Sequence, residues 1–327
     1  LWITPIRALS KEIQQSAERA LHGMKIPWTV GVRTGDTSSS ERKKQKATAP
    51  HILITTPESI HVMMASPGYR EFFSGLNCVV ADEWHELVGS KRGVQVQLAL
   101  SRLKTVAVSM QIWGISATIG NLEESLVILL GPYTENDQKV VIKRSIQKKI
   151  DVQSIYPETV EKFPWSGHLG LKLLHEIIPV IRESQSTLVF TNTRGQCEIW
   201  YQKILDAYPE FAGVMAMHHG SISRELRDWV EQALYEGRLK AVICTSSLDL
   251  GVDFRPVESI IQIGGPKGAA RFVQRAGRSG HQPTATSKIY FVPTHAMEFI
   301  EAAALRNSIE DTVVESKMPY LNSYDVL

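Results

Sequence analysis

Two adjacent carboxylates, Asp82 and Glu83, follow the apolar run at 77–81, which sets both at the mouth of a strand. There the first carboxylate suits a hydrated Mg²⁺ and the second suits a base that orients an attacking water, as phosphoryl transfer requires. Ser116-Ala117-Thr118 follows another such run at 111–115. Small hydroxyl residues at that place can relay a change at the acidic pair to neighbouring loops through switchable hydrogen bonds. In the second half, Gln274-Arg275-Ala276-Gly277-Arg278-Ser279-Gly280-His281 falls in a helix that starts near Gly268. Arg275 and Arg278 share a helix face and can address one anion, while Gly277 and Gly280 point to a ligand close by or to a helix end. A guanidinium delivered to a γ-phosphate is worth roughly 10³ to 10⁵ in rate.

Phosphate contacts have their own candidates. The stretch Thr245-Ser246-Ser247-Leu248-Asp249-Leu250-Gly251-Val252-Asp253-Phe254 follows a strand-like run at 241–244. Hydroxyls and backbone N–H groups at a strand end suit phosphate, and a carboxylate there can accept a ribose hydroxyl. Thr4-Pro5, Thr34-Gly35-Asp36, Thr55-Thr56-Pro57-Glu58 and Thr191-Asn192-Thr193-Arg194 repeat the pattern. Each could be a helix N-cap, yet so many in one chain exceed what caps alone explain.

The elements that must hold these residues alternate. Apolar or β-branched runs at 28–32, 52–55, 78–81, 111–115, 187–190, 214–217, 241–244 and 259–263 are separated by stretches with helical spacing, such as Ile6, Leu9, Ile13, Ala17 and Leu21. This rhythm predicts βαβ units and parallel sheets covered on both faces, whose ligands bind at the carboxyl ends of the strands. Residues 140–144 and 150–155 are expected as the last strand of one lobe and the start of the next, with a turn-rich linker at 156–170. The expected division is 1–148, 149–310 and a linker at 311–327.

With 327 residues, 43% hydrophobic and 21% charged, the chain has the composition of a soluble two-domain protein. No apolar run reaches the roughly 20 residues that cross a bilayer. Lys+Arg 36 against Asp+Glu 34 leaves a net charge of +2, so a polyanion site must be a local patch. Cys78, Cys197 and Cys244 lack metal spacing and fit a reducing compartment as structural thiols. His218-His219-Gly220 offers no third metal ligand and suits a turn or packing role. The chain opens in a strand-like run and closes on no capped terminus, as an internal piece of a longer protein would.

In order and spacing these motifs resemble the superfamily-two helicases across nearly the whole chain. Residues 4–9 resemble motif Ia, 55–59 motif Ib, Asp82-Glu83-Trp84-His85 the DExH box, 116–118 motif III, 189–194 motif IV, 245–254 motif V and 274–281 motif VI. The run 82–87 followed by Gly89-Ser90-Lys91-Arg92-Gly93 is similar to the Lhr (large helicase-related) family, and the Trp84 form to its ligase-associated DEXH-box branch.

The resemblance implies an α/β fold of two RecA-like lobes, with mainly parallel sheets facing a central cleft. It implies an ATP- and Mg²⁺-using enzyme of the cytoplasm, without a membrane part. Such an enzyme would move 3′-to-5′ on single-stranded DNA, or from the 3′ tail of a duplex, in DNA repair beside a DNA ligase and a nuclease. Asp82 would then hold Mg²⁺ and Glu83 orient water, with His85 in the same box, and Gln274 and Arg278 would complete hydrolysis. Gly251, Asp253, Arg275 and His281 would contact the nucleotide, and Ser116, Ala117 and Thr118 would couple it to nucleic acid. Thr4, Pro5, Arg7, Thr34, Gly35 and Thr56 on one lobe, and Thr191, Asn192, Arg194, Thr245 and Ser246 on the other, would hold the strand.

Two departures stand out: no GxxxxGK[ST] loop occurs, so it is expected upstream of Leu1, and His281 stands where the pattern often has Arg. An RNA-directed enzyme and a non-catalytic nucleic-acid scaffold are the alternatives, since sugar-phosphate contacts alone do not separate the two polymers.

Overall fold

The computed structural model describes every residue except 118, 132–138, 144–148, 157–169, 250–256, 281–285, 312–313, 324 and 327. The chain divides into two compact units, residues 1–143 with 315–327 and residues 144–314. The sequence-based division at 148 and the separate linker at 311–327 thus differ from the contact division, which returns residues 315–327 to the first unit.

The first unit is built on strands β1 (Trp2–Ile3), β2 (Val30–Arg33), β3 (Ile52–Thr55), β4 (Cys78–Ala81) and β5 (Gln111–Gly114), all parallel, in the order β2-β3-β1-β4-β5. The runs Ile-Leu-Ile-Thr of β3 and Cys-Val-Val-Ala of β4 are mostly buried, as interior strands covered on both faces must be. Helices α1 (Arg7–Met24), α2 (Ser39–Ala47), α3 (Pro57–Met64), α4 (Tyr69–Phe73), α5 (Trp84–Leu87), α6 (Lys91–Lys104) and α7 (Leu122–Leu130) follow the strands. Pro57 opens α3 where an N–H would lack a partner anyway, and the Ser90 hydroxyl caps α6 by accepting the Gly93 N–H at 3.2 Å. Ile3, Leu53, Val79, Trp84, Leu87 and Leu100 close the core.

Two glycines of the 89–93 run have steric reasons. A Cβ on Gly93 would stand 2.1 Å from the Leu87 carbonyl oxygen, so only glycine lets α6 start this close to α5. Gly89 has φ +73°, and a Cβ there would meet the Met318 carbonyl oxygen at 2.7 Å. Met318 lies in the returning segment. Gly120 donates its N–H to the Glu315 oxygen at 3.1 Å, Asn121 Oδ1 accepts the Lys317 N–H at 2.8 Å, and Asn121 Nδ2 donates to the Lys317 oxygen at 3.1 Å. Lys91 adds an ion pair to Asp325.

The second unit carries β6 (Ile150–Ser154), β7 (Thr187–Phe190), β8 (Met215–His218), β9 (Ala241–Cys244), β10 (Ser259–Ile263) and β11 (Ser287–Val292) in the parallel order β6-β11-β10-β7-β9-β8. Its helices are α8 (Leu174–Glu183), α9 (Arg194–Ala207), α10 (Arg224–Tyr235), α11 (Ala269–Ala276) and α12 (Glu298–Glu310). Thr193 caps α9 by accepting the Gln196 N–H at 3.2 Å, and Ser223 caps α10 by accepting the Leu226 N–H at 3.3 Å.

Residues 140–143 form no strand, against expectation, whereas β6 does and pairs with β11. Residues 157–169 of the linker expected at 156–170, and Arg144 at the end of the expected strand, lie outside the described residues. Among the described residues no helix is long and apolar enough to cross a membrane.

Candidate nucleotide and nucleic-acid site

Parallel register sets each unit's candidates in a row. In the first unit Arg33 pairs with Thr55, Thr55 with Ile3, Ile3 with Ala81 and Ala81 with Gly114. The next residue on each strand therefore forms one carboxyl edge, running Thr34, Thr56, Thr4, Asp82, Ile115. The motifs far apart in sequence meet there because every strand points the same way.

Asp82 is 8% exposed and firmly placed. Its N–H donates to the Ile3 oxygen at 2.8 Å, Trp2 Nε1 donates to Oδ2 at 3.1 Å, and the Glu83 N–H donates to Oδ1 at 3.0 Å. Glu83 adopts φ 48° and ψ 46°, left-handed backbone that costs a side chain about 1 to 2 kcal/mol. Strain of this kind collects where a site needs a side chain aimed against the backbone's preference.

His85 is 4% exposed. Its Nδ1 accepts the Ala117 N–H at 3.1 Å, tying the acidic box to the turn after β5. Accepting requires a bare Nδ1, and burial lowers the imidazole from its ordinary value, with Glu86 and Asp82 opposing and Lys317 adding to the shift. Trp84 anchors the same turn through its backbone N–H to the Ile115 oxygen at 2.8 Å and its indole to the Ser125 oxygen at 3.0 Å. Ser116 and Ala117 are exposed. Thr118 lies outside the described residues.

The threonines of this edge face inward more than the sequence suggests. Thr4, Thr34 and Thr56 are buried, and their hydroxyls are used locally: Thr34 Oγ1 accepts the Asp36 N–H at 3.3 Å and Thr56 Oγ1 donates to Ser59 Oγ at 3.1 Å. Pro5 is buried beside Thr4. Gly35 and Arg7 are exposed, Arg7 being paired with Asp36 at 2.8 Å. Arg42 braces the loop by donating to the Thr34 and Gly35 oxygens at 3.1 and 3.0 Å.

In the second unit Thr191, Thr245 and His219 follow β7, β9 and β8 on a shared carboxyl edge. Thr191 is buried and donates its hydroxyl to the Cys244 oxygen at 3.0 Å. Asn192 Nδ2 donates to the Gly265 oxygen at 2.9 Å. Arg194 and Ser246 are exposed, with Arg194 hydrogen-bonded to Ser221, and Thr245 is half-buried. His218 and His219 are buried, as a packing role requires. His218 bridges Ser247 Oγ at 2.7 Å and Glu231 Oε1 at 3.1 Å.

Motif VI straddles the end of α11 instead of lying inside a helix, because α11 stops at Ala276. Gln274 and Arg278 are half-buried. Arg275, expected at the nucleotide, is 2% exposed and turned inward. Its Nε and Nη2 donate to Asp249 Oδ1 and Oδ2 at 2.7 and 2.9 Å, and its Nη1 donates to Gln262 Oε1 at 2.6 Å. All three nitrogens being engaged, Arg275 is corrected to a structural cation. Gly251, Asp253 and His281 lie outside the described residues.

Asp249 and Gln262 were missed as site residues, although each is a polar residue in an apolar stretch, which signals a buried partner. Trp2 was missed too, and nothing near it in sequence points to Asp82.

Two parallel sheets, one with an acidic pair on its carboxyl edge and the other with a glycine-flanked arginine motif at the end of α11, define a core of two RecA-like helicase units. The DEAD/DEAH box helicase domain matches residues 1–125, and the helicase conserved C-terminal domain matches residues 170–282. ATP-dependent helicase Lhr-Core of Methanothermobacter thermautotrophicus is 34% identical over 100% of this chain and 39% of its own length. Lhr helicase/uracil glycosylase of Escherichia coli is 32% identical over 100% of the chain and 24% of its own length. The structure of Mycobacterium smegmatis helicase Lhr bound to ssDNA and AMP-PNP superposes with a TM-score of 0.84 at 29% identity, covering 99% of this chain and 44% of that one. The chain belongs to the Lhr family of superfamily-two helicases. It spans well under half the length of these relatives.

Proposed function

We propose that the intact protein is an ATP-dependent helicase that moves 3′-to-5′ on single-stranded DNA. The observation that carries this reading is the acidic pair, a buried Asp82 beside a Glu83 in left-handed backbone, joined through His85 to the motif III turn, on the same edge as the phosphate-binding candidates. Asp82 suits a hydrated Mg²⁺: each of its oxygens accepts one hydrogen bond and keeps a lone pair, and Mg²⁺ is commonly held by one or two carboxylates plus phosphate. When bound, the ion neutralises charge on the triphosphate. Glu83 orients the water and takes its proton. Gln274 and Arg278 act on the same nucleotide, Arg278 by stabilising charge on the transferred phosphoryl group, and Gly251, Asp253 and His281 contact it, Asp253 at the ribose. Arg275 serves this site by holding α11 in place.

On the nucleic-acid side, Arg7, Gly35, Arg194 and Ser246 meet the strand with exposed groups. Thr4, Pro5, Thr34, Thr56, Thr191, Asn192 and Thr245 shape the strand-end turns that hold the nucleic-acid strand. Ser116, Ala117 and Thr118 transmit the nucleotide state. The ssDNA and AMP-PNP held by the M. smegmatis relative support both ligands. The E. coli relative, named for a helicase joined to a uracil glycosylase, supports a repair setting. The likeness of the Trp84 box to the ligase-associated branch is the ground for work beside a DNA ligase and a nuclease, and the three free cysteines are the ground for the reducing cytoplasm.

The test is ATP hydrolysis by the full-length protein with single-stranded DNA or RNA of equal length, and unwinding of duplexes tailed at either end. Stimulation by DNA and unwinding from the 3′ tail are expected. Preference for RNA, or hydrolysis indifferent to nucleic acid, contradicts the proposal.

A further inference from the structure

Asp249 stands in the turn after β9, where two arginines of α11 and a third just beyond it meet it. Arg271 and Arg275 are one helical turn apart, and Arg278 follows just past the end of the helix, on the same side. The Asp249 carboxylate is bidentate to Arg275 and lies 3.6 Å from Arg271 Nε. Its backbone oxygen accepts Arg278 Nη2 at 2.6 Å. The Arg275 guanidinium also stacks 4.4 Å from the centre of the Phe190 ring and bonds Gln262 of β10. One residue of motif V therefore holds Arg275 by its side chain and Arg278 by its main chain.

A buried ion pair is poor evidence for stability, since apolar residues of like volume often serve as well. This pair does something an apolar contact cannot: it fixes the direction and distance of a carbonyl that grips a second guanidinium. We propose that Asp249 is a positioning residue that clamps the turn after β9 to α11 and thereby sets where the Arg278 guanidinium stands. The inference rests on the role given to Arg278 above and names the part that aims it.

The experiment uses the full-length protein, ATP and single-stranded DNA, and measures kcat, KM for ATP and Tm. Asp249→Glu keeps the charge and the pairing but adds one methylene, shifting the turn by about 1 Å, a displacement that costs on the order of 10²-fold when it falls on a catalytic group. The double variant Asp249→Asn/Arg275→Gln replaces the ion pair by an amide pair, so that no unpaired charge is buried. Both are expected to lower kcat by tenfold or more, with KM within about twofold and DNA affinity unchanged. Arg278→Ala is expected to lower kcat further, and Asp249→Glu added to it to have little additional effect, since both act through one guanidinium.

Unchanged kcat in the two Asp249 variants overturns the inference while leaving the role of Arg278 intact. Unchanged kcat in Arg278→Ala overturns the role of Arg278 and the inference with it. A loss seen only in Tm, failure of both variants to fold, or additive losses in the combined variant would show a contact that merely holds the fold.

Discussion

On the proposed reading, Glu83 and His85 divide the work of the acidic box between them. Glu83 is held in left-handed backbone, and the left-handed turn that begins α5 aims its carboxylate. His85, kept neutral by burial, reads the turn after β5 through the Ala117 N–H. His85→Gln is expected to leave ATP binding in place and to cut the stimulation of hydrolysis by DNA roughly tenfold, within the 1 to 3 kcal/mol common for coupling between sites. Full stimulation in that variant would remove His85 from the relay. That the acidic pair and the strand-end threonines stand at the ends of strands was legible because each directly follows an apolar, β-branched run. Which arginine turns inward was not, because Arg275 and Arg278 carry the same guanidinium, and only Asp249 and Gln262, 26 and 13 residues away, tell them apart.

Elements place these residues through close approaches that depend on small side chains. Gly93→Ala would drive a Cβ to 2.1 Å from the Leu87 oxygen, so overpacking of about 1 to 3 kcal/mol is expected, visible as a lower Tm. The second sheet gives a chemical readout of its own. Burial pushes the Cys197 thiol up to about 12 and raises Cys244 well above the ordinary range, so at pH 8 both are protonated and sealed. Iodoacetamide is expected to spare both in the native protein and to label both in denaturant, and rapid native labelling would contradict this packing.

The alternation of strands and helices was plain from β-branched runs. Two details escaped it. Residues 140–143 are apolar enough for a strand but join no ladder among the described residues, and β11, in which Lys288 is exposed and Tyr290 half-buried, does not look like an interior strand although it lies between β6 and β10.

At the scale of the whole chain, the segment 315–327 returns to the first unit after the second has been built, 196 residues from its partner Asn121. No local pattern announces a contact over such a separation. Asn121→Ala is expected to speed hydrogen exchange of residues 315–323 with little effect on the strands of either sheet, and unchanged exchange would show that the segment is held elsewhere. Backbone-phosphate binding predicts DNA affinity that falls steeply with salt and depends little on sequence.

The most direct test of the account is Glu83→Gln in the full-length protein, with ATP affinity and DNA-stimulated turnover measured side by side. Affinity is predicted to hold while kcat drops by roughly 10² to 10⁴-fold, the usual contribution of a general base. Ordinary turnover in that variant would contradict the assignment on which the motor depends.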